Sequence, residues 1–257
     1  MLKRPFVLSG GGARGFAHIG ILKAFAEFDI YPEAIAATSA GAMVGALSAC
    51  GYTADELTEM TTKSKFFTLF SRTIYRSLKL PTAPLVDFLK QHLRYKTIEQ
   101  LPTPLYITAT SLITGRQEVF SSGEIIPAVV AACSVPMIFP AAMINDIPYV
   151  DGGMSGNLPV EPLLLAGYKK IIGVYVNPLP PYNEKASLNE AVDRMVHLFI
   201  SENVQRSREQ CALFIQPPSL ANYRMFEEKK KKLIIDEGYN YTRKFLEEKG
   251  EDGRVTS

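Results

Sequence analysis

Cysteine is scarce in this sequence. Its three residues, Cys50, Cys133 and Cys211, lie far apart, and none belongs to a CxxC pair. An odd and sparse count argues against a disulfide framework and against a zinc site, and it is typical of a protein in a reducing compartment. We therefore expect neither a structural disulfide nor a metal or other cofactor.

The sequence also lacks an excess of charge of either sign and any long apolar run. Lysine and arginine number 28 and aspartate and glutamate 26, for a net charge of +2, which gives no general electrostatic reason to bind nucleic acid. The sequence contains no run of about 20 apolar residues, so it predicts no transmembrane helix. The apolar stretch at 5–8 is too short for the core of a signal peptide. These features predict a cytoplasmic protein, with at most peripheral contact with a membrane.

Apolar residues, by contrast, make up 47% of the 257 residues, enough to bury a large core. Short β-rich runs alternate with longer helical patterns, which predicts an α/β fold with a mainly parallel sheet covered by helices. The predicted strands are 6–9, 35–38, 105–110, 118–120, 149–150, 171–176 and 213–216. The predicted helices include 15–28, 41–50, 125–132, 188–208 and 229–248. We expect the proline-rich stretch 177–182 to be a surface loop rather than a domain boundary.

The first motif with chemical meaning lies between the first strand and the first helix and reads GGGARG at 10–15. Glycines here allow a sharp turn that points consecutive N–H groups at one place, at a helix N-terminus that favours negative charge. The spacing of Gly10, Gly12 and Gly15 also fits a dinucleotide-binding fingerprint. That fingerprint calls for an acidic residue at the end of the second strand, where this chain has Thr38 and Ser39. The pattern therefore favours an oxyanion loop over a nucleotide site or a purely structural turn.

The second motif reads ATSAG at 37–41 and joins the second strand to the next helix. It is the G-x-S-x-G nucleophile elbow with Ala37 in the first position, and such an elbow exposes a serine at the head of a helix. A pentapeptide of this kind is a weak signal alone, because serine is also a common helix N-cap. The strand–turn–helix context makes Ser39 the candidate nucleophile, with Gly41 allowing the strand and helix to approach closely.

The third motif is Asp151, followed by Gly152 and Gly153, after a short strand. Taken alone, an aspartate before two glycines is most often a turn. It gains weight from the two other motifs and from their order.

Taken together, these motifs resemble those of the patatin-like phospholipases of the compact bacterial type. The resemblance covers about residues 6–176 and includes the glycine-rich loop, the elbow, the segment ACSVP at 132–136 and the DGG at 151–153, all in the family's order. It implies a patatin-like three-layer sandwich, with the motifs in a core at about 5–177 and a variable helical part at about 183–250 of a single domain, 1–257. Ala37 departs from the glycine that the family usually has.

The resemblance also implies lipid acyl hydrolase activity through a Ser–Asp dyad. By position, Ser39 is the nucleophile and Asp151 the base, and Gly11 and Gly12, with Arg14, supply the oxyanion site. The expected substrate is a phospholipid, a lysophospholipid or another fatty acyl ester. Head group, chain length and oligomeric state are not predicted.

A catalytic triad is the alternative to the dyad. Ser39, Asp151 and His197 follow the chain order of α/β-hydrolase triads, but His197 lies in an amphipathic helical run and reads as a plain helix position. His18 lies one turn into the first helix, near the glycine-rich loop, where a structural role is favoured over a catalytic one.

Residues 66–80 combine bulky apolar side chains, among them Phe66, Phe67 and Phe70, with lysines and arginines. They fit a mobile cap over an acyl chain or a bilayer surface, and equally an ordinary helix pair whose apolar side joins the core.

Two other classes of function remain open. One is a regulatory or interaction protein that keeps the fold without activity, against which all the reactive residues argue. The other is an acyltransferase of the acyl-carrier-protein transacylase type, which usually has a histidine directly before the serine, where this chain has Thr38.

Overall fold

A computed structural model describes residues 1–63, 81–181, 184, 188–224 and 228–251. A central sheet runs in the order β5-β6-β3-β2-β1-β7-β8, and β4 also pairs with β3. The strands are β1 (Leu2–Leu8), β2 (Ile30–Thr38), β3 (Leu105–Ser111), β4 (Gln117–Phe120), β5 (Ala142–Ile144), β6 (Ile147–Asp151), β7 (Ile172–Val174) and β8 (Leu213–Ile215).

The helices are α1 (Ala17–Glu27), α2 (Ser39–Ala49), α3 (Ala54–Lys63), α4 (Ala83–His92), α5 (Ile125–Ala132), α6 (Glu161–Leu165), α7 (Leu188–Glu209) and α8 (Lys231–Glu251). Short 3-10 turns include Gly12–Phe16 before α1 and Gly152–Met154 after β6. No helix in the described ranges is both long and apolar enough to cross a bilayer.

Alternating side chains on the strands divide the core into two layers, as the pleat of a sheet requires. Phe6 and Leu8 of β1 face a large cluster shared with α1, α2, α5 and α8, whereas Val7 faces a smaller cluster that includes Leu163 of α6 and Val204 of α7. Helices therefore cover both faces, and the fold is the predicted three-layer α/β sandwich. Its sheet is mainly parallel, since β1 pairs in parallel with β2 and β7, β2 with β3, and β7 with β8.

The antiparallel part of the sheet decides which residues meet. Positions Leu105 to Thr108 of β3 pair in parallel with β2, and the next positions, Ala109 to Ser111, pair antiparallel with β6. Strand β4 pairs with β3 across both stretches, so β2 and β6 share the other edge of β3. Because β2 and β6 run in opposite directions along that edge, their carboxyl ends meet.

The C-terminal helix α8 is part of the main core. Its Ile234 and Ile235 are buried with α1. A Cβ atom on Gly20 of α1 would lie 1.9 Å from the Ile235 carbonyl oxygen, and one on Gly238 would lie 2.4 Å from the Ala17 carbonyl oxygen. These two glycines let the backbones of α1 and α8 approach more closely than any side chain would allow.

Several predicted elements differ from the observed ones. The first helix is preceded by a 3-10 turn, because the loop glycines do not continue the α-helix, and α2 begins at Ser39, two residues earlier than predicted. The hairpin of β5 and β6 was predicted only at 149–150. Its two-residue turn, Asn145 and Asp146, has positive φ at both positions (49° and 63°), which is the geometry of a tight hairpin.

The surface-loop prediction for 177–182 is wrong at its start, because Asn177 and Pro178 are buried. They lie three and four residues beyond β7, the strand that pairs with β1, and are enclosed there. The proposed cap at 66–80 lies outside the described residues.

Candidate active site

Ser39 occupies the turn between β2 and α2. Its φ of 53° is in the left-handed region, which is uncommon for residues other than glycine and is typical of a nucleophile elbow. The elbow is tight because a Cβ atom on Gly41 would lie 2.5 Å from the carbonyl oxygens of Leu8 and Ser9, so α2 begins against the end of β1. Ala37 is buried within β2, where its methyl group is accommodated beside Gly45.

The glycine-rich loop lies against this turn. A Cβ atom on Gly10 would lie 2.9 Å from the Ser39 Cβ, and one on Gly15 would lie 2.4 Å from the Ala40 Cβ. Gly12 adopts a φ of 54°, which favours glycine. In the described part of the chain, the N–H groups of Gly11 and Gly12 donate no hydrogen bond, as expected at the start of a helix.

Arg14 points into the protein below the loop. It is 1% exposed, and its Nε donates a hydrogen bond of 2.7 Å to the Tyr223 carbonyl oxygen. Its charge also acts on Tyr175, whose pKa burial raises to about 12 and Arg14 partly lowers again. These contacts show how Arg14 holds the loop; its part in an oxyanion site stays a prediction.

Asp151 ends β6 and is held by both its backbone and its side chain. Its N–H donates to the Ser134 carbonyl oxygen (2.9 Å), which gives the ACSVP segment a role in the site, and its Oδ1 accepts from the Gly153 N–H (2.8 Å). A Cβ atom on Gly152 would lie 2.3 Å from the Thr108 carbonyl oxygen and 2.4 Å from the Thr38 hydroxyl oxygen. The absence of a side chain there lets the turn pack against the end of β2.

The other carboxylate oxygen of Asp151 is available for chemistry. Oδ2 is buried and has no hydrogen-bond partner among the described residues, although the Ser39 hydroxyl is near enough to lower the pKa of the carboxyl. The two side chains therefore approach each other without a well-formed hydrogen bond, and such bonds often tighten only when substrate is bound. Burial outweighs the opposing effects of the nearby Ser39 hydroxyl and of the Gly153 hydrogen bond, and it raises the pKa of Asp151 from 3.8 to about 6.

Cys133 is a neighbour of both Ser39 and Asp151. Its thiol donates to the Ser39 carbonyl oxygen at 3.2 Å. Burial and then the negative charge of Asp151 raise the pKa of this thiol above its ordinary value, so it stays protonated at neutral pH. Cys133 therefore supports the elbow as a neutral hydrogen-bond donor.

His18 is bound to the backbone that leads into the glycine-rich loop. His18 is fully buried, its Nε2 lies 2.8 Å from the Ser9 carbonyl oxygen, and burial lowers its pKa to about 4. Since a carbonyl only accepts, Nε2 carries the proton and donates. His197 lies within α7, and its side chain is outside the described residues.

Three polar residues around the glycine-rich loop were not identified from the sequence as part of the site. They are Ser9, Asn157 and Asn177, all less than 5% exposed. A signal existed for two of them, because Ser9 follows β1 and Asn177 follows the β7 segment, and carboxyl ends of neighbouring parallel strands form the site in many α/β folds.

The site thus combines a serine in a strained turn, a buried carboxylate that is easier to protonate than usual, and unpaired N–H groups. That set is suited to acyl transfer through a serine ester. In the described part of the chain, no three histidine, cysteine, aspartate or glutamate side chains are grouped to hold a metal ion.

Comparison with known proteins identifies the family and the fold. A family model described as patatin-like phospholipase matches residues 6–164, which include every motif of the site. The lysophospholipase NTE1 of Cryptococcus neoformans var. neoformans serotype D is 34% identical over 179 residues, which cover 66% of this chain and 11% of that protein. An uncharacterized NTE family protein of Mycobacterium tuberculosis is 32% identical over 178 residues, which cover 66% of this chain and 48% of that protein.

Solved structures show the same fold. VipD from Legionella pneumophila superposes with a TM-score of 0.54 at 15% identity, over 95% of this chain and 67% of that chain. The type III effector ExoU gives a TM-score of 0.51 at 15% identity, over 96% of this chain and 53% of that chain.

The chain spans only part of the two sequence relatives: about a tenth of the length of the fungal lysophospholipase and about half of the mycobacterial protein.

Proposed function

This chain belongs to the patatin-like phospholipase family, and we propose that it hydrolyses carboxylic esters of fatty acids through a Ser39–Asp151 dyad and an acyl-enzyme intermediate. One observation carries the proposal. The buried Oδ2 of Asp151 has no hydrogen-bond partner among the described residues, and it belongs to the carboxyl whose pKa the neighbouring Ser39 hydroxyl lowers.

The first half of the reaction forms the acyl-enzyme. The Ser39 hydroxyl attacks the ester carbonyl carbon while Asp151 Oδ2 takes its proton. A carboxylate with a pKa of 3.8 is a poor base, and the rise to about 6 brings Asp151 closer to the operating pH. The negative charge on the carbonyl oxygen is stabilised by the Gly11 and Gly12 N–H groups. One such donor is typically worth roughly 100- to 1,000-fold in rate. The tetrahedral intermediate then collapses to the acyl-enzyme, and the alcohol or lysolipid leaves as its oxygen takes the proton from Asp151.

The second half returns the enzyme to its starting state. Asp151 accepts a proton from water as the water oxygen attacks the acyl ester on Ser39, and the second tetrahedral intermediate breaks its bond to Ser39 Oγ, which takes that proton back from Asp151 as the fatty acid leaves. Asp151 and Ser39 both recover their original protonation states, so each cycle consumes one ester and one water.

A lipid substrate is supported by the family and by exposed apolar side chains in the segments that follow Asp151 and Cys133. Met154, three residues after Asp151, is 57% exposed, and Met137, in the loop after Cys133, is 86% exposed. Burying acyl carbons against such side chains would contribute about 0.8 kcal/mol per CH₂. A lysophospholipid is the substrate class that the name of the fungal relative suggests.

The test is a panel of phospholipids, lysophospholipids and soluble esters, scored by released fatty acid, on wild type and Ser39→Ala. We expect the wild type to hydrolyse at least one class and Ser39→Ala to lose nearly all activity while melting at the same temperature. A fluorophosphonate should label Ser39 covalently in the wild type. More than a few per cent of activity in folded Ser39→Ala would refute the nucleophile assignment.

The same labelling experiment separates the two alternative functions. A regulatory protein without activity would not react with the fluorophosphonate. An acyltransferase would be labelled, but it would pass the acyl group to an added alcohol or thiol acceptor faster than to water.

A further inference from the structure

Two consecutive peptide groups lead into the glycine-rich loop, Ser9–Gly10 and Gly10–Gly11, and they differ in how many of their polar atoms are hydrogen-bonded. In the first, the Ser9 carbonyl accepts from His18 Nε2 (2.8 Å), and the Gly10 N–H donates to the Asn157 carbonyl oxygen (3.3 Å). In the second, the Gly10 carbonyl is held by two donors, while the Gly11 N–H donates to no described residue. Three of these four polar groups are therefore used internally, and one is left open.

The two donors on the Gly10 carbonyl are side chains. Asn177 Nδ2 donates to it at 2.5 Å and the Ser9 hydroxyl at 2.9 Å. Asn177 is 4% exposed and Ser9 is fully buried, so water does not compete for either bond. The Ser9 hydroxyl oxygen also accepts a hydrogen bond from the Val176 N–H (3.1 Å). This contact directs the hydroxyl proton of Ser9 toward the Gly10 carbonyl.

The geometry of a peptide bond turns these contacts into an orienting device. A peptide group is planar and trans, so its carbonyl and its N–H point in opposite directions. Holding the Gly10 carbonyl on one side therefore directs the Gly11 N–H to the other side. Gly11 packs closely against Val176 on one side, since a Cβ atom on Gly11 would lie 2.5 Å from Val176 Cγ2.

The Asn177 side chain donates to the Gly10 carbonyl while its own oxygen is left without a hydrogen bond. Its Oδ1 is buried and has no partner among the described residues, an arrangement that is costly for an amide. Turning the amide over would place Oδ1 against the Gly10 carbonyl oxygen, where two acceptors repel. Asn177 therefore leaves one acceptor unpaired and keeps its donor on Gly10. Buried polar groups of this kind call for an explanation beyond packing.

We propose that Asn177 and Ser9 are positioning residues of the oxyanion site, which together grip the Gly10 carbonyl so that the Gly11 N–H is presented to the developing negative charge. This inference rests on the proposed serine hydrolase function. Neither side chain touches the substrate. Both act through the orientation of one peptide group.

The experiment compares Asn177→Leu, Asn177→Asp and Ser9→Ala with wild type on a short soluble ester, p-nitrophenyl butyrate. Leucine has a similar volume without a donor, and aspartate places an acceptor against the Gly10 carbonyl oxygen. We expect each folded variant to lose kcat, by at least tenfold for the Asn177 changes, with KM within about twofold, because a misdirected donor affects the transition state and not substrate binding. Asn203→Ala, an exposed asparagine in α7, is the matched control and should retain wild-type kcat.

A second readout distinguishes orientation from general damage. A trifluoromethyl ketone forms a tetrahedral serine adduct that carries an oxyanion, so its inhibition constant should rise by the same factor by which kcat/KM falls. If Asn177→Leu does not fold, Ser9→Ala, which removes a single atom, gives the same test. Unchanged kcat in folded variants, or a loss that appears only in KM, would overturn the proposal.

The outcomes also separate this inference from the function on which it rests. A wild type that hydrolyses the ester and is labelled at Ser39, with Asn177 and Ser9 variants of equal kcat, overturns the positioning role alone. A wild type that neither hydrolyses esters nor reacts at Ser39 overturns both.

Discussion

Thr38 and Asp151 pair with two consecutive residues, Thr108 and Ala109, on the same edge of β3. Strand β2 occupies the first part of that edge and the antiparallel β6 the second, so their carboxyl ends meet. Ser39 follows directly after Thr38, and this pairing brings it to Asp151. The candidate dyad is therefore a consequence of sheet register.

Replacing Asp151 with asparagine should make the protein more stable at pH 8 while removing its activity. The folded pKa of Asp151 is raised from 3.8 to about 6, so the folded state binds its proton more tightly than the unfolded state. Ionising Asp151 therefore opposes folding, by on the order of 3 kcal/mol above pH 6. Asparagine has no such charge and can still accept from the Gly153 N–H.

The stability gain of Asp151→Asn should depend on pH in a defined direction. Below about pH 3 the carboxyl is neutral in both states, and the variant and wild type should have equal free energies of unfolding. The difference should grow as pH rises to about 6 and then stay constant. Urea denaturation at about pH 3, 6 and 8 measures it, and a variant that is less stable at pH 8 would contradict the desolvation of Asp151.

The pH dependence of activity should report the same carboxyl. A general base must be ionised, so kcat/KM on a soluble ester should rise with pH through a midpoint near 6 and then level off. This midpoint is close to that of an ordinary histidine, so a control is needed. His197→Gln should leave the midpoint unchanged, and a shifted or lost acid limb in that variant would favour the triad.

The elbow should tolerate no side chain at Gly41. A Cβ atom there would lie 2.5 Å from two backbone oxygens, of Leu8 and Ser9, which cannot turn aside. We expect Gly41→Ala to lose both activity and several degrees of melting temperature, although alanine is favoured over glycine in a helix by about 1 kcal/mol.

Gly45→Ala is the matched control for this change, one turn further along α2. Its new Cβ would meet the side chains of Ile35 and Ala37 at 3.1 and 3.4 Å, and small shifts can relieve these contacts. It should keep most of the activity. Equal losses in both variants would show that α2 is merely intolerant of added volume.

Protonation of the buried His18 should lower the free energy of unfolding in acid. Its folded pKa of about 4 lies below the ordinary 6.5, so the unfolded state binds the proton more tightly. Its contribution to stability is therefore complete above pH 6.5 and is lost as pH falls through 4. Asp151 has the opposite dependence in an overlapping range, so the effect should be measured in the Asp151→Asn background.

In that background, the free energy of unfolding should fall between pH 6.5 and 4, and His18→Gln should flatten the dependence. Glutamine has a donor for the Ser9 carbonyl but no titrating group. A slope that persists unchanged in His18→Gln would assign the acid sensitivity to other residues.

The sequence by itself determined the fold class and the candidate residues. Its β-α alternation and apolar content indicate a covered parallel sheet, since these patterns reflect local periodicity and burial. The GGGARG loop, the ATSAG turn and Asp151 with its glycines are equally local, because each requires particular residue types within a few positions. Even strand β5 of the β5–β6 hairpin, which was not predicted, had a local signal in the turn residues Asn145 and Asp146.

Only the tertiary structure decided what these residues do to one another. The meeting of β2 and β6 depends on how two distant segments share an edge of β3, and no periodicity encodes that. The raised pKa of Asp151 comes from its burial in the folded chain. Asn177, predicted from its proline-rich surroundings to lie on the surface, is buried against Gly10 because β7 pairs with β1. Register and desolvation act between segments far apart in the chain, so they become visible only when the chain is folded.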